Sequence, residues 1–146
     1  MNTSVTDIDL LGDLLFGPAQ PLSGSNLSND ELIELAAESF TEKPFCIVRQ
    51  WMILDVMLPE FQEREIKAQG FEATRLYAQS SEFDSENTYL PGDNILSDFQ
   101  CEFDGFIFES KHRIFILAGR GARKHVSLPA VEAIAAAIKR VEKTYG

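Results

Sequence analysis

Between Asp98 and Asp104 the chain alternates without a break: Phe99, Cys101 and Phe103 are separated by Gln100, Glu102 and Asp104, and Gly105 comes next. A period of two puts the apolar set on one face of a strand and the polar set on the other, and Asp-Gly is a strong hairpin turn. Such a segment has to pair antiparallel with the next stretch of chain and to lay its phenylalanines on a core. Phe106–Phe108 supplies a return strand. Ile114–Leu117, beyond Ser110-Lys111-His112, predicts a second hairpin, and Gly119-Arg120-Gly121 predicts a further turn.

The segments upstream supply the other partners. Phe45–Met57 is rich in Val, Ile, Phe and Trp and reads as a long, largely buried strand, interrupted by Arg49 and Asp55, so that one face is partly wet. Thr74–Ser80 reads as a short strand, followed by a polar, turn-rich stretch from Ser81 to Asn94. Helices are signed between them. Ser28 and Glu31 have the spacing of a capping box and Leu27 and Leu32 that of a hydrophobic staple, with Leu32, Leu35, Ala36 and Phe40 as the inward stripe. Pro59 opens and Gly70 closes a thinly apolar helix over 59–69. Ser127 and Pro129 begin a final helix with Val131, Ile134, Ala135, Ile138 and Val141 on its core face. Thr6–Phe16 reads as a short helix carrying Ile8, Leu10, Leu11, Leu14 and Leu15, ended by Gly17-Pro18 and a Ser/Gly/Asn-rich break.

This order predicts an α+β fold: a single domain with an antiparallel sheet of about four to six strands, helices packed on it and a C-terminal helix. Residues 1–22 read as a short helix and linker, and 23–146 as the domain. A chain of 146 residues can bury a core without metal or disulfide, and eleven Phe against one Trp and three Tyr suit a core of rings with no polar handle. Cys46 and Cys101, each in an apolar run, read as buried thiols in preference to a disulfide. No leader-like basic segment with an apolar stretch stands at the N-terminus, and no apolar run approaches a membrane span. A cytoplasmic protein without membrane association is the expectation.

Charge is unevenly distributed. Residues 1–110 hold 21 Asp and Glu against 5 Lys and Arg, while residues 111–146 hold 2 against 8. This asymmetry suggests two candidate surfaces. Lys111, His112, Arg113, Arg120, Arg123, Lys124 and His125 fall in a stretch with no acid, and could engage phosphate or carboxylate. Glu82, Asp84, Glu86, Asp93, Asp98, Glu102 and Asp104 could instead imitate phosphate spacing and occupy a basic groove on another protein. The plainer reading of each surface, and the favoured one, is a solvated face, or the two facing one another. The leucines of the first helix, Leu11, Leu14 and Leu15, read either as core or as a docking stripe for a partner.

Chemical motifs are missing. No phosphate-binding loop, dinucleotide fingerprint, G-x-S-x-G, H-E-x-x-H or C-x-x-C occurs, so no catalytic residue, metal ligand or cofactor is expected. Gly24-Ser25-Asn26-Leu27-Ser28, Pro44-Phe45-Cys46-Ile47-Val48, Leu90-Pro91-Gly92-Asp93 and Leu117-Ala118-Gly119-Arg120-Gly121-Ala122-Arg123-Lys124 together resemble a family of small uncharacterised bacterial and prophage proteins, a domain of unknown function. The resemblance spans residues 10–138, implies a bacterial or phage source and a single domain, and carries over no catalytic residue. The expected function is therefore a non-catalytic protein-interaction module, of the inhibitor, immunity or anti-defence kind. It would act through its acidic surface, with Leu11, Leu14, Leu15, Glu82, Asp84, Glu86 and Asp93 as contacts; a homodimer is compatible with this. The alternative is an anion or nucleic-acid binder using Lys111, Arg113, Arg120, Arg123, Lys124 and His125, with nucleic acid the lesser case because a chain of net charge −10 repels a polyanion.

Overall fold

The computed structural model describes residues 5–145. Its elements run α1 (Val5–Phe16), β1 (Gln20–Ser23), α2 (Asn29–Ser39), β2 (Phe45–Met57), α3 (Glu60–Ala68), β3 (Thr74–Asp84), β4 (Ile95–Leu96), β5 (Gln100–Asp104), β6 (Ile107–Ser110), β7 (Ile114–Leu117), β8 (Arg120–Ser127) and α4 (Leu128–Tyr145). The class is α+β, as the element order predicts. The side chains of Ile8, Leu10 and Val141, expected on helix core faces, lie outside the described residues.

The sheet is mixed, which corrects the antiparallel expectation. β2 pairs antiparallel with β3 along its length, but its other edge pairs parallel with β7 at Phe45–Val48 and with β8 at Trp51–Met57. The reason is topological. β4 and β5 are consecutive and act as one strand, antiparallel to β3 at one end and to β6 at the other, and β6 pairs antiparallel with β7. The sheet curls until the Glu72–Gln100 bridge joins β5 to the start of β3. Five successive strand runs that alternate in direction leave the first and fifth pointing the same way, so the seam between β2 and β7–β8 must be parallel.

That seam accounts for two segments that depart from expectation. Gly119-Arg120-Gly121 makes no reversal: β7 and β8 continue in one direction beside β2, with Gly119 (φ 70) as a kink between them. Across from it Gln50 takes a positive φ (53), and the pairing advances from Val48 to Trp51 in β2 while it advances from Leu117 to Gly121 in β7–β8, one residue further. Cys46 and Val48 face the interior of the curl before the kink, and Trp51 and Ile53 face it after, so the inward set changes parity. Outward residues change in step: Phe45 and Ile47 pack under α2, and Leu54 and Val56 under α1 and α4. One long strand thereby serves an interior core and two helix-covered outer cores. Its continuous apolar run arises from being buried on both faces.

The hairpins form as the alternation predicts, with a two-residue turn at Gly105-Phe106 (Gly105 φ 59) and a second turn at residues 111–113. Ser28 and Glu31 close the capping box, and Ser127 Oγ accepts from the Ala130 amide at 3.3 Å. Leu35, placed on the inward stripe, is instead 50% exposed. Residues 17–22, expected as linker, include most of β1, an edge strand paired antiparallel to β8 with Pro21 opposite Ala122. No helix among the described residues is long and apolar enough to cross a membrane.

Candidate functional site

Three successive rows of side chains, read across the strands from the interior of the curl towards the C-terminal end of β2, build the site. Strand register sets Ala78, Trp51, Gly121 and Leu22 in the innermost row. It is wholly apolar, and Gly121 is required there: a Cβ would stand 2.2 Å from the Trp51 ring. The next row is Leu76, Ile53, Arg123 and Gln20, and the outermost is Thr74, Asp55 and His125. Polarity rises outward as burial falls.

Arg123 and Asp55 join the two outer rows. Arg123 Nε donates to Asp55 Oδ2 at 2.7 Å and Nη2 to Oδ1 at 2.8 Å, and Thr74 Oγ1 donates to Oδ1 at 3.1 Å. Such a fork fixes both side chains in orientation as well as position. Burial would raise the Asp55 pKa, but the hydrogen bonds and charge of Arg123, aided by Thr74 and His125, outweigh it and hold the carboxyl below its usual range. The hydrogen bonds that Arg123 donates to Asp55 correspondingly push Arg123 up, against some desolvation.

A concavity lies on each side of this pair. One, of about 520 Å³, lies between the α1–β1 connection (Pro18, Ala19) with Gln20 of β1 and Arg123, Lys124 and His125 of β8. The other, of about 410 Å³, is bordered by Met57, Glu63, Glu72, Thr74 and His125. Asp55 and His125 line both. Beyond the second stands α3, none of whose residues is buried. Phe61 is 66% and Met57 60% exposed there, among Glu60, Glu63, Glu65 and Glu72. Among the described residues no three His, Cys, Asp or Glu side chains gather as a metal site.

The residues singled out from sequence scatter. Lys111 and His112 are exposed on the β6–β7 turn, and Arg120 is exposed beside the Gly119 kink. Arg113 points away from solvent into an ion pair with Asp84 and stacks over Tyr89, 5.1 Å from the ring centre. Lys124 Nζ donates to the carbonyls of Asp13 (2.7 Å) and Leu14 (3.1 Å), holding the end of α1. Of the basic set, Arg123, Lys124 and His125 meet at the concavity beside Asp55, and His112 and Arg113 at another beside Tyr89.

The acidic set is dispersed as well. Asp84 is 4% exposed and accepts from the amides of Thr88 and Tyr89 as well as from Arg113, so it is an internal fastening and no part of a surface. Glu82 is half-buried between Asn29, Ser80 and Arg49; Glu86 and Asp93 are exposed, the latter accepting from the Leu90 amide. Leu14 is 2% exposed, and Leu11 and Leu15 pack beside it on Val131 and Ile134, so these leucines face the protein's own core. Opposite charges are not sorted onto separate faces either: Asp84–Arg113 and Asp55–Arg123 pair the acidic part of the chain with the basic part.

Three of the four motifs that carried the family resemblance meet at the seam, where Ala118 also donates its amide to Val48, while Gly92 and Asp93 bond to Ser81. Gly24 and Ser25 donate their amides to Gly119 and Leu117, Gly119 donates back to Ser25, and a Cβ on Gly24 would stand 2.2 Å from the Leu117 carbonyl. A family model described as "Domain of unknown function (DUF6957)" matches residues 23–133. The chain belongs to this family. No curated protein and no solved structure matches it. The DUF6957 segment contains the kinked seam, α3 and the Asp55–Arg123 pair, and leaves α1 and most of α4 outside.

Proposed function

We propose that this protein is a non-catalytic protein-interaction module whose acidic contact surface is α3 and the adjoining end of β2. The carrying observation is that α3 buries no residue, and that its Phe61, and Met57 at the end of β2, stand in solvent near Glu60, Glu63, Glu65 and Glu72. A hydrophobic ring left in water inside an acidic rim fits a partner with an apolar recess edged by lysine and arginine. Arg64 and Lys67 pair with Glu60 and Glu63 on the same helix, leaving Glu65 and Glu72 without such partners among the described residues. This keeps the acidic-surface reading and moves it from the 82–93 segment to α3. An inhibitor, immunity or anti-defence factor of bacterial or phage origin belongs to this class.

The site chemistry supports a non-catalytic role. Asp55 is held deprotonated and Arg123 is locked on it, so neither group is poised to exchange a proton near neutral pH. A photo-crosslinking residue at position 61, with position 86 as control, tests the proposal in cells of the native source. A discrete adduct with a basic protein is expected from 61 alone, lost with Met57→Asp and weakened by salt. Equal labelling from both positions would remove α3 as the contact surface.

A further inference from the structure

A second inference concerns the concavity on the other side of the Asp55–Arg123 pair and is independent of the α3 surface. We propose that the space between the α1–β1 connection and β8 binds a small molecule bearing a phosphate or carboxylate group, held by Arg123 with His125 and Gln20.

Arg123 carries five N–H groups, and Asp55 takes two of them, on Nε and Nη2. The remaining three have no partner among the described residues, and the side chain, a third exposed, lines the concavity. A guanidinium fixed on one edge by a carboxylate presents its other edge in a set direction, so little conformational freedom is lost when an oxyanion docks. Strand register supplies the neighbours. Gln20 sits directly opposite Arg123 on β1, and His125 stands two residues along the same strand face, so an amide and an imidazole line the same space as the guanidinium. Lys124 contributes its positive charge from the wall, with its ammonium held on the end of α1. Asp55 is the one carboxylate lining the space, and it is neutralised by the fork. On a chain of net charge −10 this is a local positive recess. At about 520 Å³ it accommodates an organic body as well as the anionic group.

The test is a set of amide and side-chain NMR titrations of the whole protein with inorganic phosphate and with succinate, and with chloride at matched ionic strength. Saturable shifts confined to residues 19–20 and 123–125 are expected with phosphate, succinate or both, and the stronger of the two identifies the group the ligand carries. Arg123→Lys retains charge but loses the fork, and should weaken binding at least tenfold. The exposed substitutions His125→Ala and Gln20→Ala should weaken it severalfold without altering the fold, and they serve if Arg123→Lys does not fold. Shifts reproduced by chloride, spread equally to Lys111 and Arg120, or unchanged by the His125 and Gln20 variants would overturn the proposal.

Discussion

Asp55 is a polar residue set into an apolar strand, and its environment fixes how it responds to acid. Because folding lowers its pKa, the stability it contributes is fully present above the ordinary carboxylate value of about 4 and is lost as pH falls through the lower folded value. Asp55→Asn should cost about 1 kcal/mol at neutral pH, the fork being partly open to screening water, and should flatten the acid limb of stability measured by urea unfolding between about pH 5 and about pH 2. Arg113→Ala should cost more, about 3–5 kcal/mol, because it strands the Asp84 carboxylate with no access to solvent. Gly121→Ala places a methyl group inside the Trp51 ring and should destabilise by about 1–3 kcal/mol or prevent folding. Cys46, pushed up to about 11 chiefly by burial, should resist thiol reagents at pH 8 until the chain is unfolded. At this scale the sequence announces Asp55 and Arg49 as interruptions of an apolar run, but their partners lie in other strands. No local pattern names Arg123 or Glu82 as the mates.

Among the elements, those with signals in adjacent residues are the most legible. The Ser28–Glu31 box, the Asp104-Gly105 turn and the Pro59 and Gly70 boundaries each depend on groups a few residues apart. The β2 kink is not legible, because its setting is distant in sequence: Gln50 takes a positive φ where the neighbour of β2 changes from β7 to β8 and the register shifts by one. Glycines at 119 and 121 suggest a reversal for a similar reason, although one serves a kink and the other a tryptophan ring. The first helix depends on a contact equally remote in sequence. Its last turn has no basic residue, and Lys124 supplies the missing positive charge at its carbonyl end. Lys124→Met should therefore quicken amide hydrogen exchange throughout α1 while leaving β2 and β3 unchanged. Equal exchange in both proteins would show that the packing of Leu11, Leu14 and Leu15 anchors the helix without Lys124.

For the molecule as a whole, the closing of an odd number of strand runs decides the topology. Composition and helix count lead to α+β, but the parallel seam depends on pairing residues such as Ile53 and Arg123, far apart along the chain. Such closure is intrinsically slow, and refolding in the millisecond-to-second range is expected by stopped flow. Curling the sheet on itself also settles how the protein behaves among its own copies. Strands that in a flat sheet would offer bare backbone to a neighbour are consumed by the closure, and the outer margin of β1 is four residues long with a proline that has no amide to give. That margin is a poor template for strand-by-strand growth, so the folded protein should withstand crowding without seeding fibrils, and amyloid risk should be confined to chains that have not yet closed the seam.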